Sequence, residues 1–135
     1  MTTNACATWT PRVLSILRIV SAYLFILHGT AKHLGFPHVA YFDNLQVFSL
    51  VGVAGIIEIV FGLLLLIGLF SRPSAFLLSG LSAFAYFLGH VAPQGNFLFP
   101  MLNGGESAVL FCFVFLYLAA AGPGPWSVDA ARAKT

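Results

Sequence analysis

The stretch Gly52–Phe70, GVAGIIEIVFGLLLLIGLF, decides the fold. It is apolar throughout except for one carboxylate, Glu58, near its middle. A helix of about 17–25 apolar residues spans the roughly 30 Å of hydrocarbon in a bilayer, whereas a membrane barrel strand needs only about 9–11 residues and alternates in polarity. The stretch is too long and too continuous for a strand. Working outward, it extends back to Phe48 and is flanked by three further runs: Val13–Leu34, Ser74–Val91 and Gly104–Ala121. Only 7% of the 135 residues are charged, where soluble domains carry about 25%. The mean hydropathy is +0.95. The sequence therefore predicts an all-α fold: an integral membrane four-helix bundle in a single domain, 1–135, with helices at about 13–34, 48–70, 74–91 and 104–121.

Several other classes are excluded. The first run follows Arg12 as a signal peptide would, but no small-residue cleavage site follows and HGTAKHLGF continues the helix, so it is read as retained. Cys6 and Cys112 are far apart and no CxxC is present, which argues against thiol redox chemistry within one chain. A net charge of +2 without a basic patch gives no footing for nucleic acid. With four helices both termini share one side. That side collects Arg12, Arg18, Arg72, Arg132 and Lys134, so the positive-inside rule places both termini in the cytoplasm.

Punctuation falls where the helices should end. Gly35 suits a left-handed cap and Pro37 blocks continuation of the first helix. The segment HVAYFDNLQVF, with Tyr41, Phe42 and Phe48, suits the membrane–water interface. In Ser71–Pro73, Ser71 or Ser74 is expected to cap the third helix and Arg72 to reach the headgroups. Asn103-Gly-Gly-Glu106 fits a capping box opening the fourth helix, and Trp126 an interface anchor closing it.

Residues three and four apart share a helix face, and the polar residues align on such faces. The stripes are Arg18, Ser21, Phe25, His28, Lys32; Val51, Gly55, Glu58, Gly62; Ser74, Leu78, Ser82, Tyr86, His90; and Asn103, Glu106, Leu110, Phe113, Tyr117. A charge at mid-bilayer costs about 2.5–3.5 kcal/mol, so all four stripes are expected to face the bundle interior. The expected site is a buried Glu58 paired with Arg18 beneath an outer cluster of His28, Lys32, His90 and Glu106. Each has a plainer reading as well. Glu58 and Arg18 can be a structural ion pair, Lys32 and His33 can serve the helix dipole, His90 can be an interface residue, and Gly55 and Gly62 can be packing contacts. A metal or haem site on His28, His90 and Glu106 lacks any short HxxH spacing, so no metal is expected.

The Arg in helix one followed by HGTAK, then GIIEIVFGLLLLIGLFSRPSA, a His closing helix three, and FPMLNGGESAVLFCFVFLYLAAAGPGPWSVD together resemble the DoxX family of small bacterial membrane proteins. The resemblance covers Leu14–Asp129, with LNGGE to GPGPWSVD its most specific part. It implies a multi-pass protein of the bacterial inner membrane. Its DoxD relatives are a subunit of an archaeal thiosulfate:quinone oxidoreductase, and a mycobacterial DoxX is linked to a membrane complex supporting oxidative-stress resistance. The family's recurring polar positions match here at Arg18, His28, Lys32, Glu58, His90 and Glu106. The resulting expectation is a redox-associated subunit that binds a quinone. Glu58, His28 and His90 would act in proton chemistry and Arg18, Lys32, Glu106 and Tyr86 in ligand binding, with electrons supplied by a soluble or membrane redox partner. A non-enzymatic binding or transport protein for a lipid-like or anionic molecule, and a membrane anchor or assembly factor, are the alternatives. Gly-rich faces also leave room for a homodimer.

Overall fold

A computed structural model describes residues 2–135, and side chains from Asn4 onward. Among the described residues the chain is helical with no strand. Four long helices dominate: α1 (Thr2–His33), α2 (Leu50–Ile67), α3 (Ser71–Gln94) and α4 (Glu106–Ala121). The first three are long and apolar enough to cross a membrane, and α4 is a shorter apolar helix. The chain is thus a membrane protein by composition and helix length.

The helix ends have local causes. Ser49 caps α2 by accepting from the Gly52 amide at 3.1 Å, and Gly68, left-handed at φ 74°, closes it. Gly35 takes the left-handed conformation expected of it (φ 63°), and the Leu34 amide bonds back to Thr30 O at 2.8 Å. Helix α1 starts well before the expected Val13 and carries Pro11 inside it. Within Ala85–Val91, α3 becomes π-helical. A hydrogen-bond step of i→i+5 widens the turn past four residues, so the four-residue spacing Ser82–Tyr86–His90 stays on one face instead of drifting around an α-helix.

Helix α1 packs along α2, α2 on α3, and α3 along α4, while α1 and α4 meet sparingly. The α1–α2 approach is set by glycine. A Cβ at Gly29 would lie 2.6 Å from Ile59 Cγ1 and 2.7 Å from Gly55 O, and one at Gly62 would lie 2.7 Å from Ile26 Cγ1. The packing reading of Gly62 is therefore correct, and Gly29 packs in the same way. The core sits mid-height, built from Ala22, Phe25, Leu65, Ala75, Leu78, Phe115 and Leu118. Phe25 stands edge-on to Phe115 at 4.9 Å and to Phe111 at 5.2 Å, geometry that aromatic quadrupoles favour.

At the end where both termini lie, the C-terminal segment is strapped back across the helices. Asp129 accepts hydrogen bonds from the Phe70 amide (3.0 Å) and the Ser71 amide (2.8 Å) and so caps α3. This corrects the expectation that Ser71 or Ser74 would do so. The residue before the helix, Phe70, is left-handed (φ 50°), which leaves no local side chain placed to cap. Arg72, exposed in the first turn of α3, serves a second helix end. Its guanidinium donates to the carbonyls of Ala119 (3.0 Å) and Ala120, capping the C-terminus of α4, where the helix dipole is negative. The Trp126 amide donates to Ser15 Oγ at 3.1 Å, and Ser127 caps the last helical turn, Val128–Arg132.

Two predictions follow from this packing. Gly29→Ala should lower the unfolding midpoint in detergent, with a cost of about 1–3 kcal/mol as the backbones part. Gly80→Ala, where nothing lies within 4 Å, should leave the midpoint unchanged or slightly raised. The second concerns Asp129. Partial burial opposes its ionisation, but hydrogen bonds from Ser71 and Phe70 and the nearby Arg132 charge outweigh that and hold its pKa below the usual value. A depressed folded pKa gives stability that is present above the ordinary aspartate pKa of about 4 and lost as pH falls through the folded value. Asp129→Asn should therefore be less stable than wild type at neutral pH, with the difference shrinking below about pH 4 in acid-unfolding scans.

Candidate functional site

Helix α2 runs antiparallel to α1, which sets Glu58 opposite the last turn of α1. There Lys32 Nζ lies 2.6 Å from both Glu58 oxygens. The pair is buried, with side chains 11% and 7% exposed. The glycines make it possible: a Cβ at Gly55 would sit 3.0 Å from Lys32 Cδ and 2.8 Å from His33 Nε2, so only a bare backbone lets these side chains lie between the helices. Phe42, from the turn after α1, places its ring 5.7 Å from Lys32 Nζ and shields it.

Two histidines, His28 and His33, lie within the last two turns of α1 near this pair. His33 bonds through Nε2 to Gly52 O at 2.7 Å, tying the end of α1 to the start of α2. His28 is exposed where α1 faces α4. Its ring centroid is 5.9 Å from that of Phe25 and 5.8 Å from that of Phe111. Its Nδ1 lies 2.9 Å from Leu24 O. A carbonyl only accepts, so Nδ1 carries the proton and Nε2 of the neutral ring is left as a free acceptor.

Arg18 is elsewhere, which corrects the expected Arg18–Glu58 pair. Its guanidinium donates to the carbonyls of Pro123, Trp126 (2.6 Å) and Leu66 (3.4 Å), and the side chain is buried. Leu66 is eight residues, about 12 Å, along α2 from Glu58, beyond the reach of the guanidinium once it is held by three carbonyls. Arg18 anchors the C-terminal strap, and the lysine at the other end of α1 meets the acid.

Tyr86 and His90 belong to a second network. Buried Asn103 is its hub: its amide nitrogen donates to Asn96 O (3.0 Å) and the Tyr86 hydroxyl (3.2 Å), and its oxygen accepts from the Gly105 amide (2.8 Å). The Tyr86 hydroxyl donates to Phe97 O at 2.6 Å, and His90 Nδ1 to Asn103 O at 3.0 Å. This network fixes the loop between α3 and α4. Asn103 therefore makes no capping box with Glu106, because its side chain turns back to Gly105 instead.

The inward stripes hold on α2 and α3, and on α1 except at exposed His28, but not on α4. Leu110, Phe113 and Tyr117 are more than half exposed and Glu106 is exposed, while Phe115 and Leu118 are the buried face. Helix α4 is apolar all round, so the one polar residue at its start gave no guide to the face turned inward. The residues that sequence reasoning missed are partners rather than centres: Phe111 beside His28, Phe42 over Lys32, and Asp129 in the strap. Among the described residues no group of three or more His, Cys, Asp or Glu could hold a metal ion.

The DoxX family profile matches residues 13–91. An uncharacterized protein of Haemophilus influenzae is 49% identical over 127 residues, covering 93% of this chain and 95% of that protein. No solved structure matches. The chain belongs to the DoxX family.

The buried pair makes a sharp prediction. Lys32→Met or Glu58→Leu alone leaves one charge without its partner and should cost about 3–5 kcal/mol, whereas the double variant should recover most of that stability. A double-mutant cycle of unfolding midpoints in detergent checks this, and additive losses would contradict the pairing.

Proposed function

We propose that this DoxX-family protein is a redox-associated protein of the bacterial plasma membrane whose α1–α2 site takes the head group of a quinone or quinol. The observation that carries the reading is the self-neutralised Lys32–Glu58 pair beside His28, which stands among the rings of Phe25 and Phe111. A site whose lysine and carboxylate already cancel offers no free charge to an anion. Its remaining offers are flat aromatic surface, one histidine acceptor and a nearby proton-holding pair. These suit a neutral, planar, hydrogen-bonding ring.

When bound, a quinone supplies two-electron, two-proton chemistry. The chain's own residues handle the ring and the protons. His28 Nε2, free because Nδ1 is held by Leu24 O, accepts a hydroxyl proton. Glu58 and Lys32 form the adjoining reserve that holds or passes it on. Phe111, backed by buried Phe25, orients the ring, and electrons move to or from a redox partner subunit. In this reading all four long helices cross the bilayer as one bundle, and both termini face the cytoplasm. The strap end, with Arg12, Arg18, Arg72, Arg132 and Lys134, supports that orientation.

A second reading, a non-enzymatic binding protein for a neutral lipid-like molecule, draws on the same charge-balanced site. Titrating purified protein in mild detergent with a short-chain quinone and its quinol separates the two. Saturable stabilisation is expected in wild type, with apparent affinity weakened about tenfold in His28→Ala, which removes the acceptor. A redox-inert aromatic ring that binds as well as the quinol would favour the second reading. A folded wild type that responds to neither quinone nor quinol would sink the first.

A further inference from the structure

Glu106, in the first turn of α4, meets the positive end of the helix dipole but has no side-chain partner: it is exposed and, among the described residues, makes no ion pair or side-chain hydrogen bond. Five of the six Lys and Arg are engaged elsewhere: Lys32 with Glu58, Arg18 and Arg72 on carbonyls at the strap end, Arg12 over Trp9 and Arg132 over Phe70; Lys134 lies at the strap end as well. Beside Glu106 lies a groove of about 500 Å³, walled by Leu98, Phe99 and Met101 of the loop and Val109 and Leu110 of α4. That volume is in the range of small-molecule sites, about 300–1,000 Å³.

The arrangement is that of an amphiphile's complement. A carboxylate stands at the head of an apolar stripe, and Leu110 and Phe113, 66% and 64% exposed, continue it down the outer face of α4. A negative group at one end and a long apolar track below fit a head group that presents an ammonium, with an acyl tail. On a membrane-spanning helix the molecule that brings both to this face is a bilayer lipid. We propose that the Glu106 groove binds a phospholipid with a primary ammonium head group: the ammonium donates to the Glu106 carboxylate and an acyl chain lies along Leu110 and Phe113. A primary ammonium offers three N–H donors, which a quaternary one lacks. This site is separate from Lys32, Glu58 and His28 and does not depend on what they bind.

The test uses the full-length protein, delipidated in mild detergent, with phosphatidylethanolamine, phosphatidylcholine or phosphatidylglycerol added back. Binding is read by native mass spectrometry and thermal shift. Phosphatidylethanolamine should bind at least fivefold more tightly than the other two. Glu106→Gln should remove that preference while lowering the lipid-free midpoint only slightly, through the lost charge at the helix dipole. Leu110→Trp, filling the groove and keeping the carboxylate, should weaken phosphatidylethanolamine binding several-fold. Equal binding of the three lipids by wild type would overturn the proposal, as would a Glu106→Gln protein that keeps the preference. Phosphatidylcholine binding as tightly as phosphatidylethanolamine would overturn the primary-ammonium assignment.

Discussion

The structure depends on placing a lysine and a carboxylate together where water is scarce. An isolated charge at mid-bilayer is costly, and a buried pair persists only when the geometry is close and both groups are satisfied. Lys32 meets both oxygens of Glu58, and it does so because α1 and α2 approach through Gly29, Gly55 and Gly62. Larger residues there would push the helices apart and leave each charge in hydrocarbon alone. Packing and electrostatics at this interface are one constraint, since the glycines bring the helices close and the closeness makes the charges tolerable.

At the other end of α1 a second buried cation is handled differently. Arg18 has no carboxylate in contact. Three backbone carbonyls receive it, two of them from the chain that follows α4. A planar guanidinium with several donors can gather carbonyls in this way, which a compact ammonium does less well. The polar residues of this chain thus divide between two jobs. Those at the strap end close the bundle by bonding backbone groups that helix termini leave unpaired, and those in the α1–α2 interface satisfy one another.

The candidate site was legible in part. Residue types and helical spacing singled out Glu58, Lys32 and His28, and the structure brings these to one neighbourhood. Spacing along one helix cannot say which residue of a stripe meets a residue on another helix. Arg18 and Lys32 lie on the same face of α1, and both are long enough to reach an acid. The antiparallel register of α2 decided between them, because it sets Glu58 level with Lys32 and Leu66 level with Arg18. On α4 spacing failed outright, since a helix apolar on all sides has no face that sequence can prefer.

The sequence by itself determined that the chain is helical and built for a membrane, that its first helix ends near Gly35, and that its few charges matter. Those properties follow from local chemistry: run length, a left-handed glycine before a proline, and the cost of charge in hydrocarbon. Only the tertiary structure decided which charges meet. It paired Lys32 with Glu58, gave Arg18 to the strap, spent Asp129 on the start of α3, and turned Glu106 outward. Each of those outcomes depends on contacts between residues distant in the chain, and so on the register and rotation of whole helices against one another, which no local pattern encodes.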